Sequence, residues 1–228
     1  MSQPFPDLSI IVSPNNPVIK SPFVPYQLEF YQTKYSLMDI DRYTSFVKNA
    51  VSRFRASRSY KNYKFFLMNL GMDRCQINNN ITMDMATIEM HHNMLTIFDI
   101  AFIITEHIIN TTGYITSFDL VEHLRKVHHE HKVMLVMLNL TAHQLYHNTN
   151  NFFIHPDMCF GNWGAFLEEY KYGITIEIAN KVIRYLDEAI QVGSTQDNGL
   201  MEVRDHLVNW SRYNEYNLGN QSYSNSGI

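Results

Sequence analysis

Two adjacent histidines close the run Ile88-Glu89-Met90-His91-His92, and two more stand four residues apart in Thr141-Ala142-His143-Gln144-Leu145-Tyr146-His147. Ten of the eleven histidines fall between His91 and His155, so imidazole is concentrated in one stretch of the chain. On a helix, residues four apart project from one face, so His143 and His147 can converge on a single ion. In a strand, neighbouring side chains point to opposite faces, so one of His91 and His92 can hold the metal while the other faces a substrate water. Neutral imidazole ligates divalent transition metals, and its ordinary pKa near 6.5 also suits a general base at neutral pH. The competing reading is a pair of histidines beside a groove on a helix, with one ring of the strand pair buried and hydrogen-bonded.

Those side chains need a strand, a second strand and a helix to carry them. Ala86 to His92 alternates enough for a short strand, and Lys132 to Leu138 is a compact apolar run suited to a buried one. Thr141 is a plausible N-cap for the helix bearing His143 and His147. Between the two strands, Thr96-Ile-Phe-Asp99 and Thr116-Ser-Phe-Asp119 each place a threonine three residues before an acid. That pattern is a relative of the capping box, and it predicts helices over 96–109 and 117–130.

Upstream, the segment from Arg42 to Met72 holds no acidic residue but seven cations: Arg42, Lys48, Arg53, Arg55, Arg58, Lys61 and Lys64. Phe46, Phe54, Tyr60, Tyr63, Phe65 and Phe66 are interleaved with them, the mixture expected where phosphates are neutralised and bases stacked on rings. An amphipathic helix with its aromatics turned to the core fits the same pattern. The apolar spacing Phe46, Val47, Ala50, Val51, Phe54 predicts one or two helices that end before Gly71. Six of the seven prolines lie in residues 1 to 27, which reads as an extended arm. Downstream, 165–170 and the stripe Ile176, Ala179, Val182, Ile183, Leu186, Ile190 read as helices, and 200–213 as a last amphipathic one.

Composition bounds the rest. With 45% hydrophobic and 18% charged residues the chain has globular proportions, and the net charge of −4 exerts no overall pull on a polyanion. Cys75 and Cys159 form neither a disulfide framework nor a Cys-x-x-Cys unit. The start lacks a secretory pattern, and the most apolar region, Ile97 to Ile109, is interrupted by Asp99, Glu106 and His107, so no membrane partner is expected and a cytoplasmic location is. His128-His129-Glu130-His131 ends a predicted helix and reads as exposed capping rather than a second metal site. Trp163 reads as an anchor on the core, and the methionines of 83–94 as core filler.

Taken together, Glu-x-His-His on a strand, then a strand and a His-x-x-x-His helix, resembles the HNH or ββα-metal nuclease family over residues 86 to 148. The resemblance implies a ββα-metal core at 76–172, and with the segments read above it gives an α+β, mainly helical fold: a Pro-rich arm at 1–35, a basic aromatic helical segment at 36–75, a two-helix insertion at 96–130 within the core and C-terminal helices with a polar tail at 173–228. It implies His91, His143 and His147 as ligands of one divalent ion (Mg, Mn, Ni or Zn). It implies His92 as the base that activates water, with Glu89 steadying an imidazole. Function would then be metal-dependent hydrolysis of DNA phosphodiester bonds, in the host cytoplasm if the chain is viral, with Arg53, Arg55, Arg58, Lys61 and Lys64 gripping the DNA backbone.

Two features depart from the family pattern. Met134 occupies the position of the family's asparagine, and 50 residues separate His92 from His143. A lid or a partner surface would live in that insertion, and a protein partner could also be met through the N-terminal arm. The abundance of Asn, Ile, Tyr and Lys suits an AT-rich genome, and a small chain with this degenerate motif is similar to those bacteriophages carry. The alternative is therefore an inactive HNH-like phage protein that binds nucleic acid or protein as an adaptor, machine subunit or inhibitor of host enzymes. A third reading is a closed, structural zinc site.

Overall fold

Both capping boxes form: Thr96 Oγ1 accepts from the Asp99 amide while the Asp99 carboxylate accepts from the Thr96 amide, and Thr116 and Asp119 do the same. These reciprocal bonds satisfy two of the amide groups that a helix start otherwise leaves without partners. They fix the starts of the two helices within the histidine-rich region. In the computed structural model the described residues are 32–34, 36–149, 152–193 and 199–224, with side chains to 214. All but the last residues of the expected Pro-rich arm therefore lie outside the described residues.

The elements in chain order are β1 (Gln32–Thr33), α1 (Ile40–Ala56), α2 (Arg58–Asn69), β2 (Ile88–His92), α3 (Ile97–Thr112), β3 (Tyr114–Ile115) and α4 (Ser117–His129). They continue with β4 (Leu135–Asn139), α5 (Leu140–Asn148), α6 (Trp163–Glu169), α7 (Ile176–Val192) and α8 (Leu200–Ser224), with 3-10 turns at Pro156–Met158 and Lys171–Gly173. The protein is thus α+β and mainly helical, with two small antiparallel pairs, β1 with β3 and β2 with β4, among the described residues.

The expected helical segment 36–70 divides into α1 and α2 at Ser57, whose extended backbone ends one helix while its hydroxyl caps the next by accepting from the Tyr60 amide. Val47, Ala50, Val51 and Phe54 of α1 pack into the same apolar core as α3, α4 and α7. The region between the strands is not a lid. α3 buries Ile97, Ile100, Ala101, Ile103, Ile104, Thr105, Ile108 and Ile109, and α4 buries Leu120, Leu124 and Val127. Lifting α3 away would return most of this core to water, each large aliphatic side chain costing about 1.5–3 kcal/mol. The inserted segment, expected to carry a lid or a partner surface, supplies much of the apolar core.

Close backbone approach makes that possible at Lys171–Gly173. A Cβ on Gly173 would lie 1.8 Å from the Ile103 carbonyl oxygen and 2.8 Å from the His107 amide nitrogen, so only glycine lets this turn lie against α3. Gly161 plays the same part beside β4, at φ +118° and with a hypothetical Cβ 2.0 Å from the Val133 carbonyl oxygen. Its neighbour Phe160 pairs with Leu135 through two backbone hydrogen bonds of 2.8 and 2.7 Å. Trp163 packs against the core as expected, whereas Met83 and Met85, expected as core filler, are exposed at 49% and 71%.

Candidate metal centre

β2 and β4 pair antiparallel with Glu89 opposite Leu138, His91 opposite Val136 and His92 opposite Leu135. The two-residue period of the strand turns Glu89 and His91 to one face and His92 to the other. α5 follows β4 without a gap, and its cap is Asn139, whose side chain accepts from the Ala142 amide at 2.8 Å; Thr141, the expected N-cap, lies inside the helix. The earlier start still leaves His143 and His147 one turn apart on one face of α5, and that face is applied to the Glu89–His91 face of β2.

Three imidazoles converge there. His91, His143 and His147 each offer a ring nitrogen, all within 4.8 Å of one another. Their ring centroids stand 4.9, 5.3 and 4.8 Å apart. The His143 and His147 Nε2 atoms are already at 3.1 Å. Metal–nitrogen bonds of about 2.0–2.1 Å at tetrahedral angles place ligand nitrogens about 3.3 Å apart, so this pair sits near the edge length of such a polyhedron. Closing the longer edges requires side-chain rotation, and His147, the exposed member, has room to move.

The surroundings set the tautomers. The Glu89 carboxylate accepts from His143 Nδ1 at 2.5 Å, which fixes the ring and leaves its Nε2 lone pair toward the other two imidazoles. His91 is buried, and its Nε2 has no hydrogen-bond partner among the described residues. Burial first, then the neighbouring His143 and His147, lower its pKa to about 4, so at neutral pH His91 is a neutral ring with an unused nitrogen. Tyr146 closes the inner side, edge-on to His91 with centroids 4.5 Å apart.

His92 is placed elsewhere, and the base role expected for it does not fit its surroundings. Its Nε2 lies 2.8 Å from His128 Nε2 in a fully buried pocket, and burial holds its pKa well below the ordinary value. His128 Nδ1 is 2.6 Å from the Leu124 carbonyl, to which it can only donate. A neutral His128 must then accept at Nε2, so His92 donates its own Nε2 proton. The physical reason is strand alternation: the face that receives His92 is the core between β2, α4 and the aromatic side of α1 and α2, where Phe54 lies 4.7 Å from the His128 ring. His128 is itself a correction, because it is buried rather than an exposed cap. The signal was present in the apolar stripe Leu120, Leu124, Val127, which His128 continues.

Asn93, directly after His92, was not singled out by sequence and is fully buried. Its amide donates to the Ile154 carbonyl at 3.1 Å and the Tyr185 hydroxyl at 2.8 Å. A buried asparagine thus braces the loop behind β2, although Met134 stands where the family motif has one. Of the expected nucleic-acid residues, Arg53 donates to Ser117 Oγ at 3.2 Å, Lys64 donates to the Ile88 carbonyl at 2.8 Å, the Arg55 guanidinium is 6.0 Å from the Phe98 ring centroid, and Arg58 and Lys61 are exposed. No described helix is long and apolar enough to cross a membrane.

Among known proteins, the family described as Bacteriophage G278-like virion protein matches residues 15–210. No curated protein and no solved structure matches the chain.

Proposed function

The chain belongs to the bacteriophage G278-like virion protein family, and from that premise we propose that it is a component of the phage particle that holds one divalent transition-metal ion between His91, His143 and His147. The observation that carries this reading is the buried His91, whose Nε2 has no hydrogen-bond partner among the described residues and whose ring offers a nitrogen within 4.8 Å of one on each of His143 and His147. An orphaned buried acceptor costs about 1–3 kcal/mol, and a bound ion removes that cost. The donor set chooses the metal. Three imidazoles suit zinc or nickel, whereas magnesium prefers oxygen ligands and manganese also leans to carboxylate and water, so zinc leads among the expected ions. Glu89 orients His143, and Tyr146 shields the inner ring.

Phosphodiester hydrolysis of the HNH type is the second reading. It is favoured by the direct succession of the β2–β4 antiparallel pair and α5, and by a ligand set that leaves a fourth tetrahedral position for a substrate oxygen. A bound ion would supply Lewis-acid polarisation of a phosphoryl oxygen there. His92 is buried and its pKa is held well below the ordinary value, which does not suit taking a proton from water at neutral pH, so this reading calls for water activation by another group.

The experiment is elemental analysis of the purified chain after equilibration with Zn²⁺ and removal of the excess, with supercoiled plasmid incubated in parallel. About one zinc per chain, lost in His91→Ala and in His143→Ala, is expected. Metal retained in both variants would refute the centre. Nicking abolished by His143→Ala but kept by a His92 variant would favour hydrolysis; a bound metal with no nicking would leave the binding role.

A further inference from the structure

We infer that the outer face of α1 and α2 is a docking surface for the phosphate backbone of nucleic acid. This does not rest on the metal centre. None of the chain's 22 acidic residues lies between Arg42 and Met72, while seven of its 18 Lys and Arg do. Ion pairs elsewhere engage Lys126, Lys132, Lys171, Lys181, Arg74, Arg125 and Arg204, but none of the seven cations of α1 and α2 pairs with a carboxylate among the described residues. Segregating this much uncompensated charge in a chain of net charge −4 costs self-repulsion that scattered placement would avoid.

The helical period arranges these residues. Val47, Ala50, Val51 and Phe54 of α1 face the core, which sets Ser45, Asn49, Ser52 and Ala56 along the opposite, exposed ridge. Arg42 and Arg53 flank that ridge on one side and Lys48 and Arg55 on the other, while Arg58 and Lys61 continue the exposed charge past the break at Ser57. A low ridge of small side chains, two hydroxyls and an amide among them, between two rows of cations lets a phosphodiester chain come close and accept hydrogen bonds. Farther along α2, Phe65 is 63% exposed and offers a ring to a base. A helix that lies on a lipid surface would need large apolar side chains between its cations, and the ridge of α1 carries only the methyl of Ala56.

The test is fluorescence anisotropy of a labelled mixed-sequence duplex of about 20 base pairs with the full chain across a salt series. Competition arms use phosphatidylglycerol vesicles and polyglutamate. Parent protein should bind the duplex with an affinity that falls steeply with salt. The variant Lys48→Gln/Arg53→Gln/Arg58→Gln/Lys61→Gln should lower the log–log slope by about 0.9 for each phosphate it no longer neutralises, equivalent to about fivefold in affinity per phosphate at 0.15 M salt. The pairs Lys48→Gln/Arg53→Gln and Arg58→Gln/Lys61→Gln should each carry part of that change. All four side chains are exposed, and Arg53 gives up one surface hydrogen bond to Ser117, so melting should shift little. Arg125→Gln/Lys171→Gln, which alters exposed cations elsewhere, should bind as the parent does. The inference is overturned by salt-independent binding, by undiminished affinity in the variants, by an equal loss in the Arg125→Gln/Lys171→Gln control, or by vesicles or polyglutamate binding through these residues when the duplex does not.

Discussion

Replacing Glu89 by glutamine isolates one interaction of the metal centre. The carboxylate is 2.5 Å from His143 Nδ1, and an amide oxygen in the same place can still accept that proton but carries no charge. Hydrogen bonds to charged groups contribute about 1.5–3 kcal/mol against about 0.5–1.5 for neutral ones, so the substitution removes about 1–1.5 kcal/mol. Glu89 is 36% exposed and screened by solvent, which favours the lower end. Expressed as metal affinity this is about fivefold to tenfold, at the bottom of the range of about 10–100-fold found when such supporting partners are removed. Glu89→Ala, which removes the acceptor altogether, should fall further within that range. The assay is competition for Zn²⁺ with a chromophoric chelator, with thermal melting as a second readout. Metal at about 100 times its Kd stabilises the parent by about 2.7 kcal/mol, which for a chain of this size is about 5–10 °C in Tm. Equal zinc affinity in the parent and both Glu89 variants would falsify the positioning role. A zinc-induced Tm rise that persists in His91→Ala would remove the centre itself.

Burial lowers the pKa of His128 to about 4 from an ordinary 6.5. The unfolded chain therefore takes up this proton at a higher pH than the folded one, and stability is lost as pH falls from about 6.5 toward 4, by about 3 kcal/mol for this group. Urea titrations between pH 7 and pH 4 should show the decline, and His128→Gln should flatten its slope; an unchanged slope would refute the assignment. Gly173→Ala forces a Cβ into the α3 backbone and should cost at least about 3 kcal/mol in chemical denaturation, whereas a change under about 1 kcal/mol would mean that the turn can move.

Local chemistry was legible in the sequence because it is local. The two threonine–acid spacings marked two helix starts to within a residue, since a capping box depends on four consecutive positions. The four-residue spacing of His143 and His147 put them on one helical face for the same reason, and the carboxylate-free segment from Arg42 to Met72 needed only counting. Strand alternation dictated that His91 and His92 would part, but not which of them would go inward. The tertiary structure decided that. It set α4 with His128 against one face of β2 and α5 against the other, so His92 became a buried hydrogen-bond donor and His91 the member that meets His143. Tertiary packing likewise made α3 the centre of the core rather than a lid, because eight buried side chains on one helix need neighbours on nearly every side, and those neighbours come from α1, α4 and α7, far apart in the chain.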